Sequence, residues 1–381
     1  MIFADRVSNV KESATLKFTA LLEKLRKEGK EIIDFAVGEL EFETPQEIIS
    51  ATKKALEEKK TKYTNIAGIN ELRTEISSYL KNQNLDYDKE NILITNGSKQ
   101  ALYNIFQIVC NKGDEVIIPV PYWVSFSEQV RLAEAKPVFV ETKEFQLDIG
   151  KIKNNITKRT RAIIINSPNN PSGAVYNKDE LKEVADLALD NNFFIVSDEA
   201  YDMLVYDGLK NFSLATMASV KEKTIVVKSF SKPFSMTGFR VGFVATEKDF
   251  ISKMKCLQSH STGNVSTVSQ YGAIAALEMD KTVIKERIKE MEKRRNLAYK
   301  LAVKLFDCIK PQGAFYLFPN VEGNLNDKIR TADELVSLLL EKANVAVVPG
   351  REFGMENNIR ISYATSQEKI KKGFEQIEKV L

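Results

Sequence analysis

Between about residues 91 and 245 the chain alternates short apolar runs rich in β-branched residues with longer amphipathic stretches, without an internal sequence repeat. The runs are NILIT (from Asn91), EVII (from Glu115), PVFVE (from Pro137), RAIIIN (from Arg161), FFIVS (from Phe193), TIVVK (from Thr224) and VGFVA (from Val241). Runs this apolar suit strands covered on both faces, and strands that alternate with helices build a largely parallel, buried sheet. The stretches between them carry helical periodicity. One helix is expected from about Lys99 to Val109 and another from about Lys178 to Asp190. In the second, Asn177 and Glu180 have capping-box spacing, and Leu181, Val184, Ala185 and Ala188 share one face.

After about Asp280 the pattern changes. Lys281 to Cys308 is highly charged, with Ile284, Ile288 and Met291 at helical spacing, and reads as one long helix. Strand-like pieces (AFYLF, VAVVP, IRISYA) and a charged helix follow. These features predict a large doubly wound α/β domain over residues 46–285. A small α+β domain would combine residues 1–45 with 286–381, since chain termini often lie close together.

Composition narrows the function. With 43% hydrophobic and 28% charged residues, the 381-residue chain is an ordinary globular protein, neither disordered nor disulfide-stapled. Lys+Arg is 55 against Asp+Glu 52, interleaved, so no basic block points to nucleic acid. The cysteines, Cys110, Cys256 and Cys308, lie far apart in apolar stretches and read as buried free thiols. With one histidine, His260, a histidine metal site is excluded and no metal is expected. His260 itself reads as a structural polar residue. No apolar run approaches the roughly 18 residues of a membrane span, and the N-terminus carries no secretory signal. A cytoplasmic protein is expected.

In open α/β sheets ligands lie beyond the carboxyl ends of the strands. The residues expected there are Asn96-Gly97-Ser98-Lys99, Tyr122-Trp123, the turn Ser167 to Gly173, Asp198-Glu199-Ala200-Tyr201, and Ser229-Phe230-Ser231-Lys232, with Arg240 close behind. They supply an anion cradle, an amine nucleophile, a carboxylate and a flat aromatic surface. Pyridoxal phosphate needs that set, having a phosphate, an aldehyde, a pyridine nitrogen and a planar ring.

The ordered series Gly38-Glu39, Asn170-Pro171-Ser172-Gly173, Asp198-Glu199-Ala200-Tyr201, Ser229 to Lys232, Arg240 and Arg360-Ile361-Ser362 spans nearly the whole chain. In it the sequence resembles the class I aminotransferases, pyridoxal-phosphate enzymes of fold type I. It is most similar to bacterial aspartate aminotransferases. The resemblance implies transamination from L-aspartate to 2-oxoglutarate in ping-pong order, with Lys232 joining the cofactor aldehyde as a Schiff base. It also implies that Asp198 holds the pyridine proton, that Tyr201 and Asn170 bond the ring hydroxyl, and that Trp123 stacks on the ring. Gly97, Ser98, Ser229, Ser231 and Arg240 would hold the phosphate. Arg360 would grip the substrate α-carboxylate, with Gly38 closing over it. Lys99, Ser13 and Thr15 would take the distal carboxylate. Tyr63 would reach the phosphate of a partner subunit, which implies a homodimer with sites at the interface.

Leu40 and Glu12 stand where relatives often have proline. Aromatic, alanine or methionine aminotransferases and carbon–sulfur lyases share the cofactor residues and stay open as alternatives. Ser229 to Lys232 also fits the S-x-x-K of penicillin-binding enzymes, but their S-D-N and K-T-G companions are absent.

Overall fold

The computed structural model describes residues 3–8, 10, 22–25 and 27–381. Strands are numbered along the chain: β1 Ile33–Asp34, β2 Ile92–Thr95, β3 Glu115–Val120, β4 Lys136–Glu141, β5 Thr160–Asn166, β6 Phe194–Asp198, β7 Thr224–Ser229, β8 Gly242–Ala245, β9 Tyr316–Leu317, β10 Val345–Ala346, β11 Val348–Pro349 and β12 Ile359–Ser362. Seven of them form one sheet in the order β2-β8-β7-β6-β5-β3-β4. The pairings run parallel except the two that β8 makes with β2 and β7, so β8 alone is reversed.

Helices cover both faces, which is why the strands are apolar throughout. Ile163, Ile165 and Ile195 pack with Leu181, Val184 and Ala188 of the helix Lys178–Asn191. Ala162, Ile164 and Val196 face the other way, onto Leu102, Ile105 and Phe106 of the helix Gly97–Val109 and Met254 of Lys248–Ser259. Asn177 caps the first of these helices, its Oδ1 accepting the N–H groups of Asp179 (3.1 Å) and Glu180 (2.9 Å). The Glu180 carboxylate turns elsewhere and accepts the Leu147 N–H at 3.3 Å.

The C-terminal pieces form two small sheets, antiparallel β11-β12-β9 and parallel β1-β10. The run VAVVP is therefore two strands. Val345 and Ala346 pair with β1, Val348 and Pro349 pair with β12, and the chain changes partner at Val347. Ile33, Phe35 and Leu40 share a core with Met291, Phe315, Leu335, Ile361 and Phe374, tying this stretch to the C-terminal elements. The long helix ends at Ala302, six residues before Cys308. No helix among the described residues is long and apolar enough to cross a membrane. One expectation is corrected: Cys256 is exposed, Cys110 half-buried and only Cys308 buried. The inward positions of the helix Lys248–Ser259 are Ile251, Met254 and Gln258, and Cys256 falls between them on the outer face.

Packing between the C-terminal helix and Phe35 leaves no room for a side chain at Gly373. A Cβ there would lie 2.4 Å from Phe35 Cζ, whereas one at Gly323 would meet nothing within 4 Å. Gly373→Ala is expected to lower unfolding free energy by about 1–3 kcal/mol through overpacking, and Gly323→Ala to leave it nearly unchanged, as read from denaturant midpoints.

Candidate active site

The carboxyl ends of β2, β5, β6 and β7 meet at a cavity of about 500 Å³. Its lining includes Gly38, Ser98, Trp123, Asn170, Asp198, Tyr201, Ser231, Lys232, Arg240 and Arg360. Arg240 precedes a strand rather than following one. It reaches the cavity because β8 is reversed, which brings the start of that strand to the edge where its neighbours end.

At the end of β2, Gly97 opens a thirteen-residue helix with φ of +73°. A Cβ at Gly97 would sit 2.7 Å from Arg240 Nη2, and one at Gly242 would sit 2.8 Å from the Ser98 nitrogen. Two glycines thus let a helix N-terminus, a guanidinium and a strand meet, an arrangement suited to an anion. Arg240 is fixed by donating to the carbonyls of Thr237 (3.0 Å) and Asn96 (3.3 Å).

Asp198 ends β6 and is 3% exposed. Its Oδ1 accepts the Ala200 N–H at 3.2 Å. Burial raises its pKa from 3.8 to about 7; the Ala200 hydrogen bond opposes this and the neighbouring Glu199 charge adds to it. Lys232, in the turn after β7, donates to the Gly38 carbonyl. Burial lowers its pKa from 10.5 to about 8, Glu39 acts to raise it, and Arg360, Arg240 and Lys99 lower it further. An amine whose pKa is lowered toward physiological pH supplies far more of its neutral form than an ordinary lysine, and that form is a competent nucleophile and base.

A chain of polar contacts crosses the far wall. Arg360 Nη1 donates to Asn170 Oδ1 (3.1 Å) and Nη2 to the Ala36 carbonyl (2.9 Å), while Nε is buried without a partner. Asn170 Nδ2 donates to the Tyr201 hydroxyl (3.4 Å), which lies 3.2 Å from that of Tyr316. The Arg360 guanidinium sits over the Tyr316 ring at 4.4 Å and the Phe353 ring at 4.9 Å.

The remaining residues fall as follows. Lys99 lines an adjoining cleft and sits 4.9 Å from the Trp123 ring centre; burial and then Arg240 lower its pKa. Ser229 is not in the lining, but its Oγ accepts the Ser231 N–H at 3.1 Å. Tyr63 is 98% exposed, away from this cavity. His260 is exposed at the end of the helix Lys248–Ser259. Ser13 and Thr15 lie outside the described residues. Sequence reasoning missed Tyr316, the Ala36 carbonyl, Glu39 and Thr237 as wall residues. Tyr316 reads only as one more apolar strand residue, and the Ala36 carbonyl carries no signal in the sequence at all.

An amine and a carboxyl group with displaced protonation, beside guanidinium groups, at the edge of a mainly parallel sheet define an α/β enzyme for amine chemistry on anionic ligands. The comparisons are more specific. The family model for aminotransferases of class I and II matches residues 30–377. An aspartate aminotransferase of Bacillus subtilis is 42% identical over 387 residues, covering 100% of this chain and 98% of the relative. A probable aspartate/prephenate aminotransferase of Aquifex aeolicus is 43% identical, with 99% and 98% covered. The solved aspartate aminotransferase of Thermus thermophilus with maleate superposes with a TM-score of 0.96 at 36% identity, with both chains fully covered. The chain belongs to the class I and II aminotransferase family and is an enzyme of amino-group transfer with the fold of these relatives.

The buried Asp198 carboxyl sets a pH dependence. The native protein keeps a proton that the unfolded chain loses above its ordinary pKa of 3.8, so stability falls as pH rises from about 4 to about 7 and stays lowered above that. In protein stripped of bound ligand, Asp198→Asn is expected to match the parent near pH 4. Above pH 7 it is expected to be more stable by about 1–3 kcal/mol, as read from urea midpoints across pH.

Proposed function

We propose that the chain uses pyridoxal 5'-phosphate to pass the amino group of L-aspartate to 2-oxoglutarate, yielding oxaloacetate and L-glutamate in ping-pong order. One observation carries this reading: a single cavity holds Lys232 and Asp198, an amine and a carboxyl group both displaced from their ordinary protonation. The residues also fit the cofactor. Asp198 is buried and has no cationic partner among the described residues, so a protonated ring nitrogen would complete it. The glycines at 97 and 242 clear a cradle beside Arg240 that suits a phosphate. Arg360 has a buried N–H without an acceptor, which suits a carboxylate.

When bound, the cofactor supplies an aldehyde for amine exchange and a ring that withdraws electrons from the substrate α-carbon. The chain's own residues do the rest. Lys232 Nζ would be the point of attachment for that aldehyde and, when released from it, would take the substrate α-proton and return it. Asp198 holds a proton against the ring nitrogen. Tyr201 and Asn170 would bond the ring hydroxyl, and Trp123 would cover one face. The Gly97 and Ser98 amides, Arg240 and Ser231 hold the phosphate, with Ser229 steadying Ser231. Arg360 Nε and one Nη clasp the α-carboxylate as a fork, under Gly38. Lys99, with Ser13 and Thr15, takes the distal carboxylate. Tyr63 is exposed to serve the neighbouring site in a homodimer. In this reading, residues 46–285 bear the cofactor, and residues 1–45 with 286–381 close on the substrate and exclude water. A cytoplasmic location belongs to the same proposal.

A second reading rests on the cleft of about 710 Å³ that holds Lys99 and shares Arg240 with the central cavity. It favours a bulkier acid in place of 2-oxoglutarate, and prephenate, in the name of the Aquifex aeolicus relative, is the one to try.

The visible spectrum of the loaded protein tests the main reading. Its cofactor band should bleach with L-aspartate and return with 2-oxoglutarate. A band that ignores aspartate but answers another amino acid would discard the substrate and keep the chemistry. Lys99→Ala is expected to reduce kcat/KM for aspartate about 100-fold or more, on the scale of a lost charge-assisted contact, while alanine and aromatic donors change little. Equal losses for every donor would remove Lys99 from substrate choice.

A further inference from the structure

Lys232 is flanked by a carboxylate that no role above uses. Gly38 and Glu39 line the cavity, and the segment they begin, Gly38–Thr44, is fastened along its length. Leu40 is buried, and the Glu41 N–H donates to the Ala364 carbonyl at 3.1 Å. Glu41 pairs with Arg294 (3.3 Å) and Lys369 (3.2 Å). Arg287 donates to the Glu43 carbonyl (2.7 Å), and Thr44 Oγ1 to the Ser235 carbonyl (2.6 Å). This fixes where Glu39 stands. Its Oε2 accepts a 2.6 Å hydrogen bond from Thr237 Oγ1, five residues beyond Lys232 at the start of a short helical turn. Its own neighbour, Gly38, offers the carbonyl to which Lys232 Nζ donates.

We infer that Glu39, held by Thr237, is a positioning residue for Lys232: it keeps the amine at the Gly38 carbonyl whenever it is free of cofactor, and sets the pH at which that amine becomes reactive. The inference rests on the reading of Lys232 given above. Several charged groups face or neighbour the amine. The cavity wall carries Arg360 and Arg240 as cations, with Lys99 beyond it; Glu39, Asp198 and Asp34 as carboxyl groups; and the phenols Tyr201 and Tyr316. Asp198 keeps its proton up to about pH 7, so below that pH it opposes the cations little. Glu39 is the carboxylate that raises the proton affinity of Lys232 against burial and three cations. Without it the pKa of the amine would fall further toward physiological pH, and the ammonium formed when Lys232 takes a proton would keep the Gly38 carbonyl but lose the carboxylate that opposes the three cations.

Competitive labelling with acetic anhydride tests this in the full-length protein, with Lys232 followed by mass spectrometry across pH. In protein stripped of cofactor, the labelling midpoint is expected near 8. Glu39→Gln should move it down by about half a unit to one unit, the size of one partly exposed charge. Thr237→Val keeps the charge but frees the carboxylate, and should move the midpoint in the same direction by less. It also carries the test if Glu39→Gln fails to fold. A folded Glu39→Gln protein with an unchanged midpoint, or a Thr237→Val midpoint that rises, would overturn the inference. Protein loaded with pyridoxal 5'-phosphate should show Lys232 shielded from label. Full labelling there would instead overturn the role of Lys232 as the attachment point.

Discussion

A carboxyl group that is 3% exposed, with a backbone N–H for company, resists ionisation, and Asp198 is held in that position by the sheet beneath it. Asp198 is the last residue of β6, in register with Asn166 of β5 and Val227 of β7. Asn166 Nδ2 donates to the Asp198 carbonyl at 3.1 Å, and the next residue, Glu199, bonds the Val227 carbonyl through its N–H. The carboxyl cannot swing to water without breaking ladder and core together. The apolar layers on both faces of the sheet therefore have a chemical consequence. They supply the rigidity that keeps an acid where it is poorly solvated, and such a group gains stability from a cationic ligand.

The same division shows in the arginines. Arg294 pairs with Glu290 and Glu41, and Arg295 grips both oxygens of Asp207. The pairs with Glu41 and Asp207 stitch the long helix to its neighbours, and the pair with Glu290 lies within it. Arg240 and Arg360 have no carboxylate partner among the described residues and are held by carbonyl and amide oxygens instead. Neutral acceptors fix a guanidinium in place without cancelling its charge, so the field in the cavity stays positive and favours anionic ligands.

Much of this was legible in the chain because it is local. A β-branched run announces a buried strand, and Asn177 announces the helix it caps. Asp198, Lys232 and Asn170 stand at strand ends, where α/β sheets gather their ligands. What was hidden is what depends on partner and direction. The reversal of β8 is not written in VGFVA, because an antiparallel strand buried on both faces has the same composition as a parallel one. The split of VAVVP depends on two different partners, one more than 300 residues away. Tyr316 was missed because its role comes from the ring it places under Arg360 and the hydroxyl it sets beside Tyr201. An aromatic residue in a strand reads as core, and Tyr316 is also core.

Two lysines make the limit concrete. Lys228 and Lys232 are four residues apart in Lys-Ser-Phe-Ser-Lys, and by residue type either could be the reactive one. Lys228 is buried and Lys232 half-buried, and at both sites burial lowers the pKa. At Lys228 burial works against the charge, but Asp202 and Glu199 outweigh it and hold the ammonium firmly charged, with Glu199 Oε2 at 3.0 Å. At Lys232 the neighbours are Arg360, Arg240 and Lys99, opposed by Glu39, and the balance falls near neutrality. Lys228 faces the layer that holds Tyr79 and Gln83, and Lys232 lies beyond the strand end, over the cavity. A lysine locked between two carboxylates can neither attack an aldehyde nor accept a proton. One poised between cations and a single carboxylate can do both, so the surrounding charges, more than burial, decide which of the two lysines carries the chemistry.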